Sequence, residues 1–198
     1  MELKVNSIEA LEGGKAYRIV AGHSTREGYV KRTYTVSTSV YEQVGRPIED
    51  DILMDEDIKI ITMGIDRAEA MARACRILSY SDNNRAALRR KLLEHGHYPE
   101  NVDYVVGRMV DQGYVNERRQ LDILTVSYAN KKHWGRRNIA SHLIAKGYDS
   151  KDIHAAIDNA IERGDIDFER EKRRLISETI GDGADERDVR AMLYKYGH

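Results

Sequence analysis

The chain has 198 residues, 32 basic against 33 acidic, with 33% of positions charged and 41% hydrophobic. That balance allows one ordinary domain or two small ones around a thin core, and no apolar run approaches the roughly 20 residues that a bilayer helix needs. The start, Met1-Glu2-Leu3-Lys4, has the form of neither a signal nor a transit peptide, so a soluble, cytoplasmic protein is the expectation. The single cysteine, Cys75, excludes an internal disulfide and is expected to be buried and inert beside Ala74 and Leu78.

Charge is uneven along the chain. Residues 1–62 carry a local charge of −3, residues 63–164 carry +4 and residues 165–198 carry −2. A basic middle between acidic ends suits an anionic partner for the centre.

In chain order, Tyr17-Arg18-Ile19-Val20 and Tyr29 to Val36 are β-branched and aromatic with partial alternation, which predicts a small antiparallel sheet. Val40 to Val44 reads as a short helical turn ended by Gly45, with Pro47 just beyond, and Asp50 to Asp57 as an acidic stretch before the next element. From Asp66 onward helix signals dominate. Longer helices are expected over about Arg67–Tyr80, Arg118–Lys132 and Phe168–Thr179, each followed by shorter ones.

A shift of 51 positions brings the chain onto itself. Leu88, Leu92 and Gly96 fall on Ile139, Leu143 and Gly147, and Val102, Val106, Val110 and Gly113 fall on Ile153, Ile157, Ile161 and Gly164; a further shift of 50 adds Val189, Leu193 and Gly197. Apolar residues at i and i+4 give each helix one buried face, and the Gly four residues later takes the left-handed conformation that closes it. The fold expected is mainly α: tandem three-helix repeats in an elongated array, with a small β-rich extension at residues 1–62. The repeats fall at 63–113, 114–164 and, shortened, 165–198.

Chemistry-bearing motifs are sparse. No phosphate-cradling loop, Gly-rich turn after a strand or Cys/His zinc spacing is present, so a nucleotide enzyme is not expected, and no catalytic residue, metal ligand or cofactor is assigned. His95 and His97 flank Gly96 at a helix end, where satisfying terminal carbonyls is the plainer role than metal binding. Asp182, Asp185, Glu186 and Asp188, around Gly181 and Gly183, read as helix capping rather than a cation loop.

Basic clusters carry more. Arg85, Arg89, Arg90 and Lys91 lie on one short helix, and Lys131, Lys132, Arg136 and Arg137 occupy the corresponding stretch of the next unit, with His133 and Trp134 between them. Arg85 and Arg136 are equivalent repeat positions. Charge repeated in stacked units makes a stripe suited to a polymeric anion, although exposed helix faces are commonly basic for solubility alone. Trp134 is read either as a core anchor or as a stacking group beside four cations.

Some of these residues carry a resemblance. Leu78-Ser79-Tyr80, Leu88-Arg89-Arg90-Lys91-Leu92 with Gly96, Gly113-Tyr114-Val115-Asn116-Glu117, and above all the run Trp134-Gly135-Arg136-Arg137-Asn138-Ile139 to Leu143-Ile144-Ala145-Lys146-Gly147-Tyr148, resemble the bacterial regulatory protein family RecX over about residues 67–198. Where the family usually has Arg-Ser before the middle helix of the first unit, this chain has Asn83-Asn84, a change expected to touch capping and surface charge rather than the core. The resemblance implies a non-enzymatic, monomeric modulator of a RecA-type recombinase. Such a modulator lies along or caps the recombinase filament, blocks its growth, strand exchange and ATP hydrolysis, and takes part in homologous recombination, DNA repair and the SOS response. It also implies possible contact with single- or double-stranded DNA. The alternative is a helical DNA-binding module that acts without a recombinase.

Overall fold

The chain opens on a strand that simple alternation does not reveal. In β1 (Leu3–Leu11), Leu3 and Val5 face the core, but the pairing slips between Val5 and Ser7, and after the extra residue Asn6 the inward side passes to Ile8. β2 (Ala16–Thr25) and β3 (Gly28–Ser37) form the expected hairpin, each longer than its β-branched heart. β4 (Ile52–Leu53) pairs with Leu3 and Lys4, which completes an antiparallel sheet in the order β3-β2-β1-β4. Gly22 has a packing reason: a Cβ there would meet the Tyr29 ring at 2.8 Å. The ring lies across that gap, and its hydroxyl takes a hydrogen bond from Asn6 Nδ2 at 3.1 Å.

α1 (Thr38–Gln43) is capped by Ser37, whose side chain accepts from the Val40 N–H, and Gly45 follows its end at φ 81°. α2 (Asp55–Tyr80) starts well before the expected Arg67. Its opening is self-capped, since Asp57 Oδ2 accepts from the Met54 N–H at 2.9 Å. Asp55, Glu56 and Asp57, the end of the acidic stretch expected to precede the helix, are therefore its first turn, where carboxylates meet the positive end of the helix dipole.

The remaining helices are α3 (Arg85–Glu94), α4 (Pro99–Asp111), α5 (Glu117–Lys132), α6 (Arg136–Ala145), α7 (Ser150–Glu162), α8 (Phe168–Thr179) and α9 (Glu186–Tyr196). α6, α7 and α8 each begin 51 positions after α3, α4 and α5. The glycines expected to close helices, Gly96, Gly113, Gly147, Gly164 and Gly197, all have φ between 76° and 92°. The protein is thus mainly α with a small N-terminal sheet.

This computed structural model describes residues 2–179 and 185–198. It divides into two compact units, residues 1–76 with 92–105, and residues 77–91 with 106–198. The first is built on the inner face of the sheet, where Leu3, Ile19, Val36, Leu53 and Ile61 pack together. In the second, Leu121 and Ala129 of α5 meet Ile139 and Leu143 of α6 and Ile153 and Ile157 of α7.

Two sequence expectations are corrected. Cys75 is exposed, because α2 turns Ala70 and Ala74 inward and the next position falls about 100° further round the helix. His97 does not cap helix carbonyls; its ring meets the Asp66 carboxylate at 2.8 Å. Asp185 does cap α9, accepting from the Arg187 N–H, while Gly181, Asp182 and Gly183 lie outside the described residues. Among the described residues, no group of three His, Cys, Asp or Glu side chains is placed to hold a metal ion, and no helix is long and apolar enough to cross a membrane.

Candidate partner-binding surface

All nine basic and aromatic candidates fall in the second unit. α3 is set in place by two asparagines. Asn84 caps it, accepting from the Ala87 N–H at 2.8 Å, and its amide also donates to the Lys146 carbonyl at the end of α6, at 2.9 Å. Asn83 receives the Lys91 ammonium at 2.7 Å, and its carbonyl receives Gln120 Nε2 at 3.1 Å. Both asparagines are buried, so this departure from the family pattern touches the interior as well as the cap, and not surface charge as expected. Gln120 in turn accepts from the Tyr148 hydroxyl at 2.8 Å. Burial first, then the negative charges of Glu117 and Asp82, hold that phenol up at about 12, so it stays neutral and donates.

At the start of α3, the Arg85 N–H donates to Glu117 at 2.8 Å and its guanidinium lies 3.6 Å from the same carboxylate. Arg85 and Arg89 line one cavity of about 710 Å³ with Glu117, Tyr148, Asp149 and Asp152. Arg90 is exposed on the same helix. At the start of α6, Arg136 pairs with Asp158 of α7 at 2.5 Å, and Arg137 lies 4.0 Å over the Tyr194 ring and donates to the Tyr194 carbonyl. The equivalent arginines Arg85 and Arg136 are therefore both first residues of their helices, each tied to a carboxylate, but to different ones. The Arg136–Asp158 pair is exposed, and such pairs are worth about 0–1 kcal/mol, so an incoming phosphate or carboxylate can replace Asp158 at little cost, whereas Glu117 is largely buried.

Lys131 and Lys132 close α5, where cations suit the negative end of the dipole. Lys131 is exposed. The Lys132 ammonium stands 4.5 Å from the Trp134 ring centre and 4.9 Å from that of Tyr128. Trp134 is half-buried against the core of this unit, tilted on Tyr128 at 5.3 Å and edge-on to His142 at 5.1 Å. It is an anchor with a cation on its outer side. Burial, followed by Lys146 and Lys132, pushes the His142 imidazole below its usual range.

Charge spacing alone does not disclose the partners of these cations. Glu117, Asp158 and Tyr194 come from other helices, and only packing brings them near. One signal was available: Glu117 and Tyr148 stand 51 positions after Asp66 and His97, a pair that is itself in contact.

Comparison with known proteins adds to this. Regulatory protein RecX of Pseudomonas fluorescens (strain SBW25) is 30% identical over 98 residues, covering 49% of this chain and 63% of that protein. RecX of Pseudomonas savastanoi pv. phaseolicola is 32% identical over 81 residues, covering 41% of this chain and 52% of the relative. The chain thus spans less than two thirds of the length of the curated relatives it matches. A crystal structure of regulatory protein RecX superposes with a TM-score of 0.69 at 21% identity, over 99% of this chain and 94% of that one. RecX from Lactobacillus salivarius gives 0.57 at 16% identity, over 67% and 88%. Sequence and fold likeness agree on the RecX family. No family model matches the chain.

The run that most resembles RecX, Gly135 to Gly147, is a structural joint. Gly135 donates its N–H to the Tyr196 carbonyl at 2.8 Å, Asn138 Nδ2 donates to the Lys195 carbonyl at 2.7 Å, and a Cβ on Gly135 would collide with the Gly197 carbonyl. The start of α6 thus docks on the end of α9, as Asn84 at the start of α3 docks on the end of α6. A Cβ on Gly147 would meet the Ala86 methyl at 2.6 Å. A Cβ on Gly197 would likewise meet Asn138 at 2.6 Å, so Gly147 and Gly197 admit the neighbouring helix as well as closing their own.

Proposed function

We propose that the chain is a non-enzymatic regulator that binds the filament of a RecA-type recombinase on single-stranded DNA. It acts as a cytoplasmic monomer and limits filament assembly, ATP hydrolysis and strand exchange. The observation that carries this reading is the recurrence, within one unit, of arginines at the starts of α3 and α6, which presents cations at a fixed spacing to a partner that is itself periodic. Likeness to proteins named as RecX regulators supports it. The interface is assigned to Arg85, Arg89, Arg90, Lys91, Lys131, Lys132, Trp134, Arg136 and Arg137.

The test is the single-stranded-DNA-dependent ATPase of the recombinase, titrated with the protein and with the Arg136→Ala/Arg137→Ala variant. The protein lowers the rate and the variant does so only at higher concentration. An unchanged rate at stoichiometric excess of the unaltered protein overturns the proposal. A second reading, a DNA-binding module acting alone, is favoured by Lys132 standing over Trp134 beside Lys131, a combination that also suits stacking on a base next to a phosphate.

A further inference from the structure

The first unit holds a polar cluster of its own. The His97 ring, 9% exposed, points Nδ1 at Asp66 Oδ1 across 2.8 Å. Asp66 Oδ2 also accepts from Asn101 Nδ2 at 2.7 Å and from the Tyr98 N–H at 3.1 Å. Burial alone would raise this carboxyl, but the three donors outweigh it and hold the group below its usual range. An ionised Asp66 keeps a proton on Nδ1, and the opposite nitrogen, Nε2, is buried without a hydrogen-bond partner.

The unpartnered nitrogen belongs to a ring that lines a cavity of about 340 Å³ whose other walls are Glu69, Ala72, Arg73 and Arg76 of α2. Two arginines and one histidine therefore border the same space. Guanidinium forks match the oxygens of a phosphate, and a tetrahedral anion points its oxygens in several directions toward donors from different sides, where a carboxylate's two oxygens lie in one plane. We infer that the cavity between α2 and His97 is a binding site for a phosphate group, held by Arg73, Arg76 and Nε2 of a doubly protonated His97.

The charged groups facing the ring are Asp66, Glu69, Arg73 and Arg76, all on α2; from α4, Asn101 meets Asp66. Asp66 fixes the ring's orientation through Nδ1, while Glu69 opposes the anion. The site shares no residue with the candidate partner surface and does not rest on the proposed function. Free phosphate, as in a nucleotide, and the backbone of a nucleic acid offer the same chemistry.

Long-range proton–nitrogen spectra of ¹⁵N-histidine protein decide the matter. The chain has seven histidines, and the His97 signals are those lost in His97→Gln. Inorganic phosphate is expected to move the His97 Nε2 resonance saturably to the imidazolium position, with chloride at equal ionic strength leaving it in place. Arg73→Ala weakens the effect by about tenfold, the order of one charge-assisted hydrogen bond, and Glu69→Gln strengthens it. Saturation by a short oligothymidylate at lower concentration than by inorganic phosphate assigns the site to a nucleic-acid backbone, and the reverse order to free phosphate; both support the site. A resonance that neither ligand moves, that chloride moves equally, or that responds alike in Arg73→Ala, overturns it.

Discussion

Gly135 has no side chain because the end of α9 lies where one would stand. Gly135→Ala is expected to cost about 1–3 kcal/mol, as overpacking does, read as a fall in the urea midpoint. Gly107 on α4 is the control: its missing Cβ would meet nothing within 4 Å, so Gly107→Ala should stabilise by about 0.5–1 kcal/mol. Histidines set a second prediction. His142 and His198 are both pushed below 6.5, chiefly by burial, so below that pH the unfolded chain binds more protons than the folded one. Stability is complete above about 6.5 and declines as the pH falls towards the folded values. Melting temperatures across that range should show the decline, and His142→Gln should make it shallower; a melting temperature that rises on acidification contradicts the assignment.

Among the elements, the helices were legible in the sequence because apolar spacing and closing glycines agree at every repeat. Strand β1 was not, since the bulge at Asn6 breaks the alternation that would have marked it. The first turn of α2 was hidden by acidic residues that look like a loop until Asp57 is seen capping the helix. The candidate surface was half legible: Arg85 and Arg136 could be picked out by repeat position, and the lysines by their clustering beside arginines. Their carboxylates and the Tyr194 ring lie on other helices and reach them only through packing. The joint between α3 and α6 yields a prediction at this scale. Asn84→Ala removes both the cap and the bond to Lys146 and should cost about 1–2 kcal/mol. Asn84→Asp keeps an acceptor for the cap but loses the donor to the carbonyl, so it should still destabilise the protein in urea. An Asp variant equal to the unaltered protein would show the joint to be idle.

For the whole molecule, all nine candidate residues lie in one compact unit, and the phosphate site lies in the other. The charge of −1 argues against tight binding to bare DNA, whose affinity comes from neutralising many phosphates and falls steeply with salt. A protein partner recognised through a few exchangeable ion pairs and an aromatic anchor fits this chain better. Co-sedimentation with recombinase filaments on single-stranded DNA, set against the same DNA without recombinase, tests that claim most directly. The account predicts that the protein pellets with the filament and stays in the supernatant with DNA alone at moderate salt, and that Arg136→Ala/Arg137→Ala reduces the pelleted fraction. Equal recovery with bare DNA and with filament, lost on raising the salt, would contradict it.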